Sequence, residues 1–320
     1  VDNGVTIQIG ASGLNANGGI PGVTATSPAQ IVFTRSPGAT SWGGIDATSA
    51  ASTEVSFKNC VIEYGGTGGG AQVNISGSGR TLRFTDSVSR RSAGAGLKAT
   101  GSSDFFTGFT RSRIEDNLGV AILLSANAAL GVGTTGAGMG DLDASNANTR
   151  IPDQSYYYSL ANVIRNNGTN AVQIDSSSND FTRSGVLVGQ GDIPVQIRGT
   201  SGNPSVVGNS NASPGAELFI NPNAIVQLDA GMDLKAGDGT LNGSIGANGY
   251  AGYSQSPSGD TSISQRVIFD KIPGGGNFGA LLFSSTSGAS SILNFVSVRN
   301  GGTTSSGSAQ VVVENMCYAF

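Results

Sequence analysis

One stretch of this chain occurs twice, and nothing else in the sequence restricts its fold as strongly. Ile31-Val32-Phe33-Thr34-Arg35, Trp42-Gly43-Gly44-Ile45 and Cys60-Val61-Ile62-Glu63-Tyr64-Gly65-Gly66 return at constant spacing as Val267-Ile268-Phe269-Asp270-Lys271, Phe278-Gly279-Ala280-Leu281 and Val296-Ser297-Val298-Arg299-Asn300-Gly301-Gly302. The flanks follow: Val5-Thr6-Ile7-Gln8-Ile9 matches Ala224-Ile225-Val226-Gln227-Leu228, and Ala71-Gln72-Val73 matches Ala309-Gln310-Val311. Self-similarity over such a length is the mark of a repetitive architecture. Trp42 and Phe278 should therefore hold equivalent places in two superposable units.

Short apolar alternations run through the chain between the copies: Val55/Phe57, Val73/Ile75, Leu82/Phe84, Ile122/Leu124, Val172/Ile174, Val186/Val188, Val195/Ile197 and Leu218/Ile220. Each reads as a half-buried strand, bounded by Gly, Asn, Asp and Ser, with almost no helical periodicity. A sandwich has no reason to repeat itself in register, whereas a coil whose strands stack about 4.8 Å apart does. The recurrent endings Ile114-Glu115-Asp116-Asn117, Ile164-Arg165-Asn166-Asn167 and Val298-Arg299-Asn300-Gly301 supply residues that tolerate a left-handed backbone at a turn, so they read as turn chemistry before catalysis.

Composition narrows the function classes. The 50 glycines, 12% charged residues and absence of histidine fit short strands and tight turns, and the lack of histidine excludes a Ser-His-Asp triad and histidine acid–base chemistry. A net charge of -4 argues against nucleic acid as the main partner. No apolar run approaches the roughly 18 residues that a membrane span needs. No signal peptide is present, so export is inferred from low charge and small polar residues, with any signal already removed. Cys60 and Cys317 are too few for a disulfide framework. They would lie about twelve coils, or on the order of 55 Å, apart, beyond the roughly 7 Å that a disulfide spans.

The order Pro28-Ala29-Gln30-Ile31-Val32-Phe33-Thr34, Trp42-Gly43-Gly44-Ile45, Val61-Ile62-Glu63-Tyr64-Gly65-Gly66, preceded by Asn3-Gly4-Val5-Thr6-Ile7, resembles the scaffold pattern of secreted bacterial right-handed parallel β-helix proteins of the pectin-lyase-like type. The resemblance covers residues 1 to about 125 and 218 to 320, the second copy being degenerate. It implies an all-β, right-handed parallel β-helix solenoid at a cell surface or outside the cell, and assigns no catalytic residue. Two tandem units are expected, 1–217 and 218–320, with loop insertions at about 126–159 and 237–264, because those segments lack strand alternation and exceed ordinary loop lengths. Neither end carries a cap over the apolar column, so each is expected to be covered by further chain or by a neighbouring subunit in a head-to-tail filament.

Three groups of residues carry candidate chemistry. Arg80, Arg83, Arg90, Arg91, Arg111 and Arg113, with Lys98, fall within two or three coils, opposed by Asp86 and Asp104; stacked, they would form either a solvated charged face or a basic stripe for an anionic polysaccharide, a lipopolysaccharide or an acidic partner subunit. Phe105, Phe106 and Phe109 in the same stretch read as core. Asp141, Asp143, Asn146 and Asn148 offer oxygens at the spacing a Ca²⁺ loop uses, though an ordinary polar loop with Asx-turns has the same spacing; calcium is the only cofactor in view. Asp175, Asp180 and Asp192 near Arg183, or Glu115 with Asp116, could serve a polysaccharide lyase or hydrolase, without the clustered motifs of β-helix pectinases. The leading expectation is a structural or adhesive extracellular β-helix rod with filament or surface partners; a polysaccharide-acting enzyme or carbohydrate-binding module is the alternative.

Overall fold

The computed structural model describes residues 1–10, 13–18, 30–48, 54–77, 80–100, 109–110, 112–128, 163–177, 180–182, 184–187, 193–210, 215–220, 224–249, 266–288, 291–303 and 308–314. These residues are all-β, with a single 3-10 turn at Thr67–Gly69, and divide between Val172 and Gln173 into two compact units.

In the first unit the strands lie in three parallel sheets, here called faces. Face one holds Thr6–Gln8, Gly44–Ala47, Ala71–Ser76, Ala95–Thr100 and Val120–Ser125. Face two holds Leu14–Asn17, Glu54–Lys58, Thr81–Thr85 and Phe109–Thr110, and face three Ile31–Phe33, Cys60–Glu63, Val88–Arg90, Arg113–Glu115 and Val163–Arg165. The chain visits the faces in cyclic order, so every strand pairs with its counterpart one coil away. Inward positions then stack by type. Ile45, Val73, Leu97 and Ile122 form one buried ladder, and beside it Ala47, Ile75, Ala99 and Leu124 alternate small and large side chains. On face two Phe57 stacks on Phe84 with ring centroids 5.9 Å apart. Each large side chain so buried contributes about 1.5–3 kcal/mol.

The second unit repeats the plan. Ser205–Val207, Leu234–Ala236, Leu281–Phe283 and Val311–Val313 form its face one; Gly185–Leu187, Ala216–Ile220, Gly243–Asn248 and Ile292–Asn294 its face two; Val195–Arg198, Ile225–Leu228, Val267–Lys271 and Val296–Val298 its face three. Trp42 and Phe278, both fully buried, occupy matching places. The Trp42 N–H donates to Tyr64 O at 2.9 Å, and the Phe278 N–H donates to Asn300 O, the repeat partner of Tyr64, at 3.1 Å. Only the tryptophan adds a side-chain bond, from Nε1 to Glu63 O at 2.7 Å. Gly44 follows at φ 99°, where a Cβ would meet Ala71 O at 2.5 Å. That corner therefore admits no side chain.

Two sequence expectations change. Ala224–Leu228 is not the counterpart of Val5–Ile9. Ile7 pairs with Ile45 as Leu234 pairs with Leu281, and the Gly43 and Gly279 N–H groups donate to Val5 O and Met232 O, so the match runs from Val5-Thr6-Ile7 to Met232-Asp233-Leu234. Ile225–Leu228 instead stacks on Val267–Lys271. The expected insertion at 237–264 contains a core strand, Gly243–Asn248, paired with Ala216–Ile220 and Ile292–Asn294. Its inner positions hold Ile245 between Gly243 and Ala247, so a single large apolar residue marks the strand and the alternation is not apparent. Of the insertion at 126–159, only residues 126–128 fall among those described, and Ala128 N–H donates back to Ser125 O at 3.0 Å.

A candidate interaction site on the third face

Face three of the first unit ends in two columns of side chains, because the alternation that points Ile62 and Ile114 inward points the next residue out. Register places Glu63, Arg90, Glu115 and Arg165 in one column. Charges alternate along it and close on one another. Glu63 Oε1 accepts from Thr34 Oγ1 at 3.0 Å and Oε2 from Arg90 Nε at 2.8 Å. Glu115, 4% exposed, accepts from Arg165 Nε at 2.8 Å and from Arg113 Nη2 at 3.0 and 3.1 Å. Burial raises the Glu115 pKa, but the bonds from Arg113 and Arg165 outweigh it and hold the carboxyl below the ordinary glutamate range.

The second column is Tyr64, Arg91, Asp116 and Asn166, with Arg35 at its start. These four residues have φ of 61°, 58°, 58° and 55°. Asp and Asn adopt this left-handed conformation readily, while other L-residues lose roughly 1–2 kcal/mol there. Tyr64 and Arg91 hold it nonetheless and are joined: the Arg91 Nη1 donates to Tyr64 Oη at 2.7 Å, and Arg35 lies over the ring with its guanidinium carbon 4.0 Å from the centroid. Beneath the corner an asparagine ladder satisfies the backbone. Asn117 Nδ2 donates to Asn167 Oδ1 at 2.8 Å, and Asn117 Oδ1 accepts from the Ser92 N–H at 2.8 Å. Those asparagines are turn structure, as their sequence context indicates. Leu118, next to them, is 77% exposed.

The expected basic stripe is only partly assembled. Arg90, Arg91 and Arg113 share face three. Arg83 lies on face two, paired with Glu54 at 3.2 Å, and Lys98 on face one beside Asn74. Arg80 is fully buried, so it presents nothing to a partner; a long side chain with a polar head gave no hint of this in the sequence. Arg111, and Asp141, Asp143, Asn146 and Asn148 of the calcium-type loop, lie outside the described residues. Two arginines join that sequence order did not suggest. Arg35 precedes the cluster and Arg165 follows the long insertion, and only coil register brings them in; the recurring strand-then-Arg of Val32-Phe33-Thr34-Arg35 and Val163-Ile164-Arg165 was the available signal.

The other carboxylates do not converge. Asp175 Oδ1 accepts from Ser177 N and Oγ in a local turn, and Asp180 Oδ1 accepts from the Val206 N–H at 3.0 Å, while Arg183 and Asp192 lie outside the described residues. Among the described residues no group of three or more His, Cys, Asp and Glu side chains is placed to hold a metal ion, and no helix is long and apolar enough to cross a membrane. Cys60 is a buried free thiol whose pKa is raised by burial. No protein-family model, no curated protein and no solved structure matches the chain, so its function is read from this geometry.

Proposed function

We propose that each unit is a right-handed β-helix and that the protein is an extracellular structural or adhesive module rather than an enzyme. The observation that carries this reading is the mutual neutralisation of the face-three charges. Glu115, held ionised by two guanidinium groups, is a poor general acid, and Glu63, bonded to Thr34 and Arg90, is not aimed at a reacting group. Such ladders link successive coils, which is the work of a scaffold.

The test incubates the purified chain with pectate, alginate and chondroitin sulfate and follows both retention and release of unsaturated or reducing ends. Retention of at least one polymer or of whole cells without product supports the proposal; catalytic product formation overturns it. Surface labelling of intact producing cells checks the location, and reaction confined to lysed cells contradicts it. Head-to-tail association belongs to the same reading: Val32 and Val313, on outermost strands, are 52% and 60% exposed, and a second copy could pair there. Sedimentation velocity should show mass rising with concentration, and a monomer at all concentrations would remove that part.

A further inference from the structure

We infer that the corner formed by Arg35, Tyr64, Arg91 and Leu118 is a docking surface for an acidic protein segment that carries an apolar side chain among its carboxylates. The inference deepens the scaffold reading, on which it rests, by naming the kind of partner.

Three observations point to it. Tyr64 and Arg91 occupy left-handed positions that Asp116, Asn166 and, in the second unit, Asn300 fill with residues suited to them. The backbone gains nothing from a tyrosine or an arginine there, so what these residues offer is their side chains. Next, those side chains are already ordered, with Tyr64 fixed between the Arg35 guanidinium at 4.0 Å and the Arg91 hydrogen bond at 2.7 Å. An aromatic and arginine cluster that is rigid before binding is what protein hot spots are made of. Last, the corner is cationic on an acidic chain: Arg90, Arg113 and Arg165 are taken up by Glu63 and Glu115, while Arg35 and Arg91 share their column with one carboxylate, Asp116, and the whole chain carries -4.

The same features choose among anions. Arg35 and Arg91 are two coil steps apart, roughly 9 to 10 Å at 4.7–4.9 Å per step, with carboxylates in the neighbouring column. A nucleic acid strand carries an unbroken row of phosphates and would bring them against Glu63 and Asp116 as well as the guanidinium groups. Leu118, exposed two residues past Asp116 of that column, suits an aliphatic or aromatic side chain better than a hydroxyl-covered glycan.

Binding of three fluorescent probes to the intact chain tests this: poly-glutamate, a random glutamate–tyrosine copolymer, and polygalacturonate. The copolymer should bind about tenfold more tightly than the other two. Tyr64→Asn and Arg91→Asn should each weaken it about tenfold with the melting temperature unchanged or raised, because Asn suits the left-handed backbone, and Leu118→Ser should weaken the copolymer but not poly-glutamate. Equal or tighter binding of polygalacturonate, or copolymer binding unaffected by these substitutions, overturns the inference. Variants that bind normally but melt lower would assign both residues to stability alone. Release of product from polygalacturonate would instead sink the scaffold reading, so the two failures are distinguishable.

Discussion

The corner Glu63-Tyr64-Gly65-Gly66 in the first unit and its repeat Arg299-Asn300-Gly301-Gly302 in the second solve one backbone problem with different side chains. Both turn through a left-handed residue, Tyr64 at φ 61° and Asn300 at φ 55°. In the second unit Asn300 Nδ2 simply donates to Asp270 Oδ1 at 2.7 Å, and outside the sheet runs a neutral ladder in which Gln173 Nε2 donates to Gln196 Oε1 and Gln196 Nε2 to Gln227 Oε1, each at 3.0 Å. That column continues from Gln227 to Asp270 and Arg299, the repeat partners of Thr34 and Glu63; in the first unit it alternates in charge throughout, Glu63 bonded to Arg90 and Glu115 to Arg165, and the corner beside it holds a tyrosine between arginines. The turn requires a conformation and leaves the side chain open, so one backbone corner presents different chemistry in the two units.

The largest effect expected from this comparison is at the matched core pair. Trp42→Ala and Phe278→Ala should each lower stability by about 3–5 kcal/mol, read as a shifted denaturation midpoint. Trp42→Phe should lose less, about 1–2 kcal/mol, because the repeat itself carries phenylalanine there and the loss is confined to the five-membered ring's volume and its Nε1 bond to Glu63 O. Equal losses for Trp42→Phe and Trp42→Ala would break the equivalence of the two sites.

Next in size is the charge ladder. Glu115→Gln should cost about 1.5–3 kcal/mol at neutral pH, whereas Asp229→Asn, which removes one exposed-arginine partner (Arg198 at 2.8 Å), should cost no more than about 1 kcal/mol. Two carboxylates, one in each unit, should also answer acid in opposite directions. The folded pKa of Glu115 lies below its unfolded value, so its contribution is present above the unfolded glutamate pKa and is lost as pH falls through the depressed folded value. Asp233 of the second unit is raised, chiefly by burial, so the folded state there is favoured in acid and weakened as pH rises from the unfolded to the folded pKa. Hydrogen exchange between pH 3 and 6, corrected for intrinsic rates, should show protection at Glu115 and Arg165 falling in acid while that at Ala280, whose N–H donates to Asp233 Oδ1, holds or rises. Parallel loss in both would contradict the assignment.

The smallest effect is a gain. Phe295 sits at φ 49° with 43% of its surface exposed, at the turn where the first unit places Asn59 and Asp86. Phe295→Asn should stabilise by up to about 1 kcal/mol, and a lowered melting temperature would show that the ring has packing the exposure does not reveal.

What the sequence disclosed follows from what each feature depends on. Strands such as Ala71–Ser76 and Val195–Arg198 announce themselves because large inward residues alternate with polar outward ones, and the turns at Asp116, Asn166 and Asn300 because few residue types suit a left-handed backbone. Gly243–Asn248 carries a loop-like pattern because its core positions are mostly Gly and Ala. The alignment of the first coil differs because Val5-Thr6-Ile7 fits Ala224-Ile225-Val226 and Met232-Asp233-Leu234 about equally as a pattern, and only pairing across coils separates them. The site was half legible for the same reason: Arg90, Arg91 and Arg113 are neighbours in sequence, while Arg35 and Arg165 become neighbours only through stacking, and nothing local marks Arg80 as buried.

Glu115 and Arg165 lie fifty residues apart, on either side of the longest insertion, and meet only if the coils stack in the register described. A double-mutant cycle of Glu115→Gln and Arg165→Gln, measured by chemical denaturation at neutral pH, tests that directly. The account predicts a coupling of about 1 kcal/mol, above the roughly 0.3–0.5 kcal/mol within which independent sites add. Additive losses would contradict the ladder, and with it the coil register on which the site is built.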